Sequence, residues 1–400
     1  MIRGYKLGAL ILTPLGFFTL GLSMVSYSMM AETVVVELGL SYGESGLVMS
    51  ILWLSYAVMQ IPGGMLSDRW GGGKVMVLSA AVLGVAGLAF VTSDSFATAL
   101  LTRMVMGVAG GLILPAAVKV ISSTFAEREL DLAMGIFASG WGASQIVAFT
   151  IVPIFITIGT WRIAALFVGV FALCAAVAFT YLWKGAHMGS EPRRAARPQL
   201  RKVFTMRLTG LGLNNFAGLA VMMGVATWAP FFLMSKFNMP TQDAGLIIAV
   251  VGVTNILASF IGGVAAVKLG RARVVVIAML MYLLLPVALV YSPTSSWAFF
   301  IIAGVGWATM FYAPAMFAWV PSSTPLGKEG AGTAFGVLNT MSNVGPFLSP
   351  FIMGYTLDFT SSYPLAFLGL ASLATVGVAG VILVLLRSGG WRALRVKEDS

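Results

Sequence analysis

The chain has 400 residues, 59% of them hydrophobic and only 10% charged, with a formal net charge of +10 and a mean hydropathy of +0.95. A water-soluble protein of this size needs far more polar surface, so the apolar side chains face something other than water. One histidine, His187, and one cysteine, Cys174, exclude a histidine-based metal site, a histidine triad and a disulfide framework.

Uncharged runs recur at the ~20 residues that a helix needs to cross ~30 Å of hydrocarbon. Helices are expected, because lipid offers backbone groups no hydrogen-bond partner. The reading is an all-α polytopic membrane protein of twelve spans. Residues 1–184 make a six-helix bundle, with spans at about 8–32, 45–67, 75–93, 97–121, 132–157 and 163–183. The start, MIRGYK and then an apolar run, resembles a secretory signal. The run is too long for one and eleven more spans follow, so it reads as the first membrane helix. Ser28 is one of its polar residues. Glu32 lies about 18 Å from that helix's middle at ~1.5 Å per residue, at the outer interface. It reads as a solvated helix end, or as a long side chain that meets Arg103 in an outer vestibule. It is also the one carboxylate on hand for proton coupling.

Span two carries Gln60, and the turn after it reads GGMLSDRWGGGKVM over 63–76. Span four contains Arg103, about 10 Å toward the outside of its middle, with Gly107 and Gly110 on the same stripe. Charges inside a membrane are costly and are functional candidates by default. Two readings of Arg103 stand side by side. It anchors or couples an anion, or it is a structural arginine bonding backbone carbonyls. Lys119, at the inner interface, reads as snorkelling. Span five adds Trp141 and Gln145.

Residues 185–207 form a basic cytoplasmic linker. Residues 208–387 make a second six-helix bundle, with spans at about 208–235, 244–267, 274–291, 296–319, 330–356 and 364–386, and 388–400 is a cytoplasmic tail. Asn214, Asn215, Trp228, Asn255, Tyr312, Asn339 and Asn343 supply neutral polar groups to this half. Asn339 and Asn343 are four apart and share a helix face. Such residues line a cavity or hydrogen-bond one helix to another.

With the N-terminus inside, only Arg103, Arg162 and Lys236 of the 24 basic residues fall outside cytoplasmic segments. This positive-inside pattern places both termini in the cytoplasm. The basic surface then meets anionic lipid headgroups rather than nucleic acid. The halves also resemble each other at an offset near 200. Gly63, Gly64, Arg69, Gly71 and Lys74 match Gly262, Gly263, Lys268, Gly270 and Arg273, and Gly107 matches Gly306. Internal repeats of this kind typify secondary transporters.

The turn after span two resembles the G-x-L-x-D-R-x-G-x-x-K signature of the major facilitator superfamily, as Gly64, Leu66, Asp68, Arg69, Gly71 and Lys74. The resemblance covers the whole chain, with a degenerate second copy at Gly263, Lys268, Gly270 and Arg273. It implies twelve helices in two pseudo-symmetric bundles around a central site, and a cytoplasmic gate. There Asp68 caps a helix of the other half and pairs with a basic residue, Arg69. Gly64 is expected to let helices approach closely. The second copy has Val267 in place of the acid. Arg103 with Gly107 resembles the R-x-x-x-G pattern of span four. LPAAVKVISSTFAERELDLAMGIFASGWG, GTWR at 159–162 and GVLNTMSNVGPFLSPFIMG resemble the anion:cation symporter branch and its nitrate/nitrite neighbours. The first-span acid–arginine pair of organic-anion symporters and the paired arginines of nitrate carriers are missing, which counts against nitrate.

The implied function is secondary transport of a small (organic) anion by alternating access, driven by an ion gradient such as protons. No P-loop, cofactor motif or metal cluster is present, and no nucleophile–base set suggests an enzyme. The expected setting is a monomer in a prokaryotic plasma membrane, with a small-molecule substrate, a coupling ion and the lipid bilayer as partners. Efflux of hydrophobic or cationic compounds is the alternative within the class. A membrane sensor that does not transport is the alternative outside it.

Overall fold

The computed structural model describes residues 2–125, 127–184, 204–320, 323 and 331–387. These form helices and the turns between them: α1 Ile2–Val25, α2 Tyr27–Leu38, α3 Tyr42–Trp70, α4 Gly72–Val91, α5 Phe96–Thr124, α6 Glu127–Ile158, α7 Trp161–Lys184, α8 Met206–Phe237, α9 Thr241–Leu269, α10 Arg271–Val290, α11 Ser295–Phe311, α12 Ala313–Trp319, α13 Ala331–Thr360 and α14 Tyr363–Arg387. Among the described residues, eleven spans are long and apolar enough to cross a membrane, with α1–α2 and α11–α12 each counting as one. The 30-residue α13 adds another long helix. Most of the linker, the tail, Lys328 and Glu329 lie outside the described residues.

The chain divides into two compact units. The first comprises Met1–Leu40 and Leu47–Ala196, the second Ser41–Gly46 and Arg197–Ser400. In the first, α4 packs on α5 and α7, and α1 on α6. In the second, α8 packs on α13 and α14, and α9 on α11. The first turn of α3 belongs to the second unit. Asp358 accepts hydrogen bonds there from the Tyr42 and Gly43 amides at 2.8 and 2.6 Å. A carboxylate on the free amides of a helix start is favourable for both charge and hydrogen bonding.

The repeat extends to single contacts. A Cβ on Gly107 would lie 2.3 Å from Leu52 O and 2.8 Å from Ser55 Cβ. A Cβ on Gly306, 199 positions later, would lie 2.4 Å from Thr254 Oγ1 and 2.9 Å from Val251 O. Leu52 and Ser55 are themselves 199 positions before Val251 and Thr254. Close helix crossings without Cβ atoms are how membrane helices gain packing in lipid. Gly71 and Gly270 start α4 and α10 at φ 86° and 87°, a backbone region that glycine alone enters cheaply. Ser95 and Thr294 cap α5 and α11, accepting from Thr98 N and Trp297 N.

Two spans are broken. α1 gives way to α2 at Ser26 with no proline nearby. Ser23 and Ser26 instead donate to the carbonyls of Thr19 and Leu22 at 2.9 and 2.5 Å. Hydroxyls bonded back onto a helix in this way bend it. α11 gives way to α12 at Tyr312, and Pro314 lies in the first turn of α12, where its missing N–H is harmless.

Candidate functional site

In the first unit Arg103 of α5 is 1% exposed. Its Nη1 donates to Ser23 O at 2.8 Å and its Nη2 to Met24 O at 3.4 Å, with Met49 Sδ at 3.6 Å. Tyr27 presents its ring face to the guanidinium, 5.0 Å away. The last carbonyls of a helix carry partial negative charge and lack helical partners. Arg103 therefore caps α1 where that helix breaks. Its Nε has no partner among the described residues. Arg103 does not meet Glu32. Glu32 is exposed on α2, and the expected vestibule pair is replaced by backbone carbonyls, which the break brings closer.

Beneath Arg103 runs one face of α3: Met49, Trp53, Tyr56 and Gln60, at helical spacing. Trp53 meets Trp141 edge to face at 6.1 Å and Tyr56 at 5.9 Å. Trp141 lies 5.4 Å from Phe17, which stacks on Phe137 at 4.5 Å. Gln145, one turn beyond Trp141, is fully buried. Among the buried donors of this unit, Trp53 Nε1 on this face, Ser50 Oγ elsewhere on α3 and Ser28 Oγ of α2 have no partner among the described residues, while the Gln60 side chain meets the Tyr56 hydroxyl. A buried donor without a partner costs ~1–3 kcal/mol, and each is ready to bond an oxygen-bearing ligand. Sequence reading selected Ser28, Gln60, Trp141 and Gln145 but missed Trp53 and Ser50. Trp53 stands seven residues before Gln60, two turns away on the same face, which was the available signal.

The second unit gathers a different set. Asn215 of α8 donates from Nδ2 to Ser342 Oγ of α13 at 2.7 Å. Tyr312, at the α11–α12 break, donates its hydroxyl to Asn215 Oδ1. Tyr282 lies edge to face with Tyr312 at 6.1 Å and donates to Ala308 O at 3.0 Å. Asn215 and Tyr312 are thus brought together, with Ser342 and Tyr282 unforeseen. The rest of the expected set is dispersed. Trp228 donates to Pro350 O at 3.1 Å beside Tyr42 and Phe231. Asn343 bonds Asn339 O of its own helix at 2.8 Å. Asn255 is buried on α9. Asn214 is fully buried in α8, and its amide has no partner among the described residues. Ile302 occupies the position of Arg103 in the repeat, and among the described residues Arg103 is the buried cation.

At the turn after α3, Asp68 accepts from Lys119 Nζ of α5 at 2.7 Å. The expected partner Arg69 is exposed, as is Lys74. Lys119 is therefore an ion-pair partner rather than a snorkelling residue. Both side chains are partly exposed, so the pair contributes only ~0–1 kcal/mol. Leu66 packs against the apolar core of the first unit. Gly64 is not the close-approach glycine: a Cβ there would meet only Pro115 Cβ at 4.0 Å, whereas one on Gly63 would lie 3.0 Å from Gly111 O. Gly263 and Gly262 repeat this difference, at 3.9 Å from Pro314 Cβ and 1.9 Å from Phe311 O. Lys268 and Arg273 flank Gly270 at the second turn. At the far end of α2 from the α1–α2 break, Glu37 accepts from Trp161 Nε1 at 2.6 Å and Arg162 Nε at 2.9 Å. The GTWR segment thus ties α7 to α2.

The family signature described as Major Facilitator Superfamily matches residues 12–350 and again 211–398. The chain belongs to this superfamily. It is accordingly a membrane transporter and not an enzyme. The probable sulfoacetate transporter of Cupriavidus necator is 24% identical, covering 92% of this chain and 91% of that one. The probable nitrate transporter of Staphylococcus epidermidis is also 24% identical, covering 90% and 91%. A solved structure of a bacterial homologue of the human lysosomal transporter Spinster superposes with a TM-score of 0.71 at 17% identity, covering 98% and 97% of the two chains, which speaks for the fold alone.

Proposed function

We propose that this superfamily member carries a small organic or inorganic anion across the cytoplasmic membrane by alternating access, with both termini in the cytoplasm. The observation that carries the reading is the buried Arg103 charge beside the α3 face of Met49 and Trp53, where Trp53 Nε1 is a buried donor without a partner among the described residues. Such a face is unfavourable when dry and empty, and an anion satisfies donors and field together. Arg103 acts on the anion through its field, since its terminal nitrogens are engaged by carbonyls. The relatives' printed substrates, sulfoacetate and nitrate, are small anions and support the class. Asp68 and Lys119 form the cytoplasmic latch, with Asp68 released from Lys119 as the gate changes state.

A thermal-shift panel tests the reading on purified protein in detergent, because a ligand of the folded state raises apparent stability by mass action. Sulfoacetate, nitrate, short carboxylates and lipophilic cations are compared. At a concentration of ~100 Kd an anion is expected to add about 2.7 kcal/mol. Trp53→Phe keeps a ring and removes the N–H, and is expected to lose most of that gain. Shifts with lipophilic cations alone, unchanged in Trp53→Phe, would instead establish the efflux reading.

A further inference from the structure

We infer that the first unit holds one phospholipid with an ammonium-bearing headgroup, an acyl chain of which lies in a groove between α4 and α5. The inference does not depend on the anion reading and concerns another part of the unit. The groove has a volume of about 420 Å³, within the ~300–1,000 Å³ of small-molecule pockets. Ala86 is its buried floor, and Val85, Leu101 and Val105 are exposed at its rim. It is bounded along the helices. Below it, Ser79 Oγ of α4 donates to Ala109 O of α5 at 2.5 Å. Above it lies the α4–α5 turn with the Ser95–Thr98 capping box. From Ala81 to Ala89 the groove runs ~12 Å at ~1.5 Å per residue. That is about half of the ~30 Å hydrocarbon core, so the groove fits a chain of one leaflet.

The lining selects hydrocarbon. Among the described residues, Thr102 is its one hydroxyl-bearing side chain, and Oγ1 donates to Thr98 O and Ala99 O of its own helix at 2.8 and 3.0 Å. The lining thus has no side-chain donor left for a polar ligand. An unfilled groove forfeits dispersion contacts on its walls, and a chain seated between two helices restores them. The charges at the turn select the head. Arg162 Nη1 donates to Val91 O, at the last residue of α4, and Nη2 pairs with Glu37 at 2.9 Å. Asp94 is exposed in the turn three residues beyond Val91 and accepts a long hydrogen bond from Thr98 Oγ1 at 3.3 Å. Glu37 and Asp94 therefore outweigh Arg162 at this end. An ammonium group is attracted to Asp94, whereas a head of net negative charge is repelled. With both termini in the cytoplasm, as proposed above, this is the non-cytoplasmic leaflet.

Native mass spectrometry of the full chain in detergent is the test. Dioleoyl phosphatidylethanolamine and dioleoyl phosphatidylglycerol are titrated separately, and bound lipid is counted. One phosphatidylethanolamine is expected to stay bound, about fivefold more tightly than phosphatidylglycerol, the upper end of what one exposed charge pair supplies. Asp94→Asn is expected to bring the two lipids to parity while a lipid stays bound. Ala89→Phe puts a ring into the groove and is expected to weaken binding about tenfold, the worth of ~10 carbon–carbon contacts. Val177→Phe, at an exposed position of α7, is the control and is expected to bind as the parent does. Equal binding in Ala89→Phe and Val177→Phe would overturn the groove as the site. Equal binding of the two lipids by the unaltered protein would overturn the choice of headgroup. A protein dimer in place of bound lipid, lost in Ala89→Phe, would give the groove to a second copy and overturn the inference. Thermal unfolding of the unaltered protein is a readout that needs no variant. Phosphatidylethanolamine is expected to raise the midpoint more than phosphatidylglycerol does, and equal shifts would count against the headgroup.

Discussion

Arg103→Ala is expected to lower stability by ~2–4 kcal/mol, from lost charge-assisted hydrogen bonds and the cavity left behind. The guanidinium holds Ser23 O and Met24 O at the end of α1. Relief from burying a charge offsets part of the loss. Arg103→Lys is the informative companion. It keeps the charge but presents a point donor in place of a planar fork, so it should fall between the alanine variant and the parent. Thermal unfolding in detergent at constant pH measures all three. An alanine variant as stable as the parent would remove the capping role and return Arg103 to the ligand as a direct contact.

The second large effect is expected at Gly262. A methyl group there would sit 1.9 Å from Phe311 O, a backbone atom that moves only if α11 moves. Gly262→Ala is therefore expected to cost at least ~1–3 kcal/mol, the usual penalty of overpacking. It would also displace the α11–α12 break that positions Tyr312. The adjacent Gly263→Ala is the control. Its Cβ meets nothing closer than Pro314 Cβ at 3.9 Å, and alanine favours a helix by up to ~1 kcal/mol over glycine. It should be neutral or stabilising. Equal losses at both positions would show that glycine is needed for conformation here rather than for clearance.

The repeat was readable because it needs only residue identities at a fixed offset. Gly63, Gly71 and Gly107 recur as Gly262, Gly270 and Gly306, and the structure adds matching contacts and backbone angles. Which neighbour each side chain meets was not readable. Lys119 and Asp68 are 51 residues apart, and sequence gives no rule for that distance. Helices that are apolar on every side carry no clear inward face, so the sequence assigns Gly64 the close approach that Gly63 makes, and in the second unit Gly262 rather than Gly263 makes it. The break at Tyr312 is announced by Pro314. The break at Ser26 is not, because it follows from two serine hydroxyls turning onto their own helix. That hidden break decides the partners of Arg103. The two readings of Arg103 therefore differ by the path of a neighbouring helix, which lies beyond the local pattern around residue 103.

The edge-to-face pair of Trp53 and Trp141 has an optical consequence. Indole emission responds to what its N–H touches, and the Trp53 N–H touches nothing in the described structure. An anion accepting that hydrogen bond changes the colour and yield of the emission, and the neighbouring indole shares the excitation. The molecule thus contains a built-in dye at the place where cargo is expected to rest. Occupancy can be followed by ultraviolet light in a stopped-flow cell, without a label on protein or solute. The eight other tryptophans set a steady background against which this one signal is read.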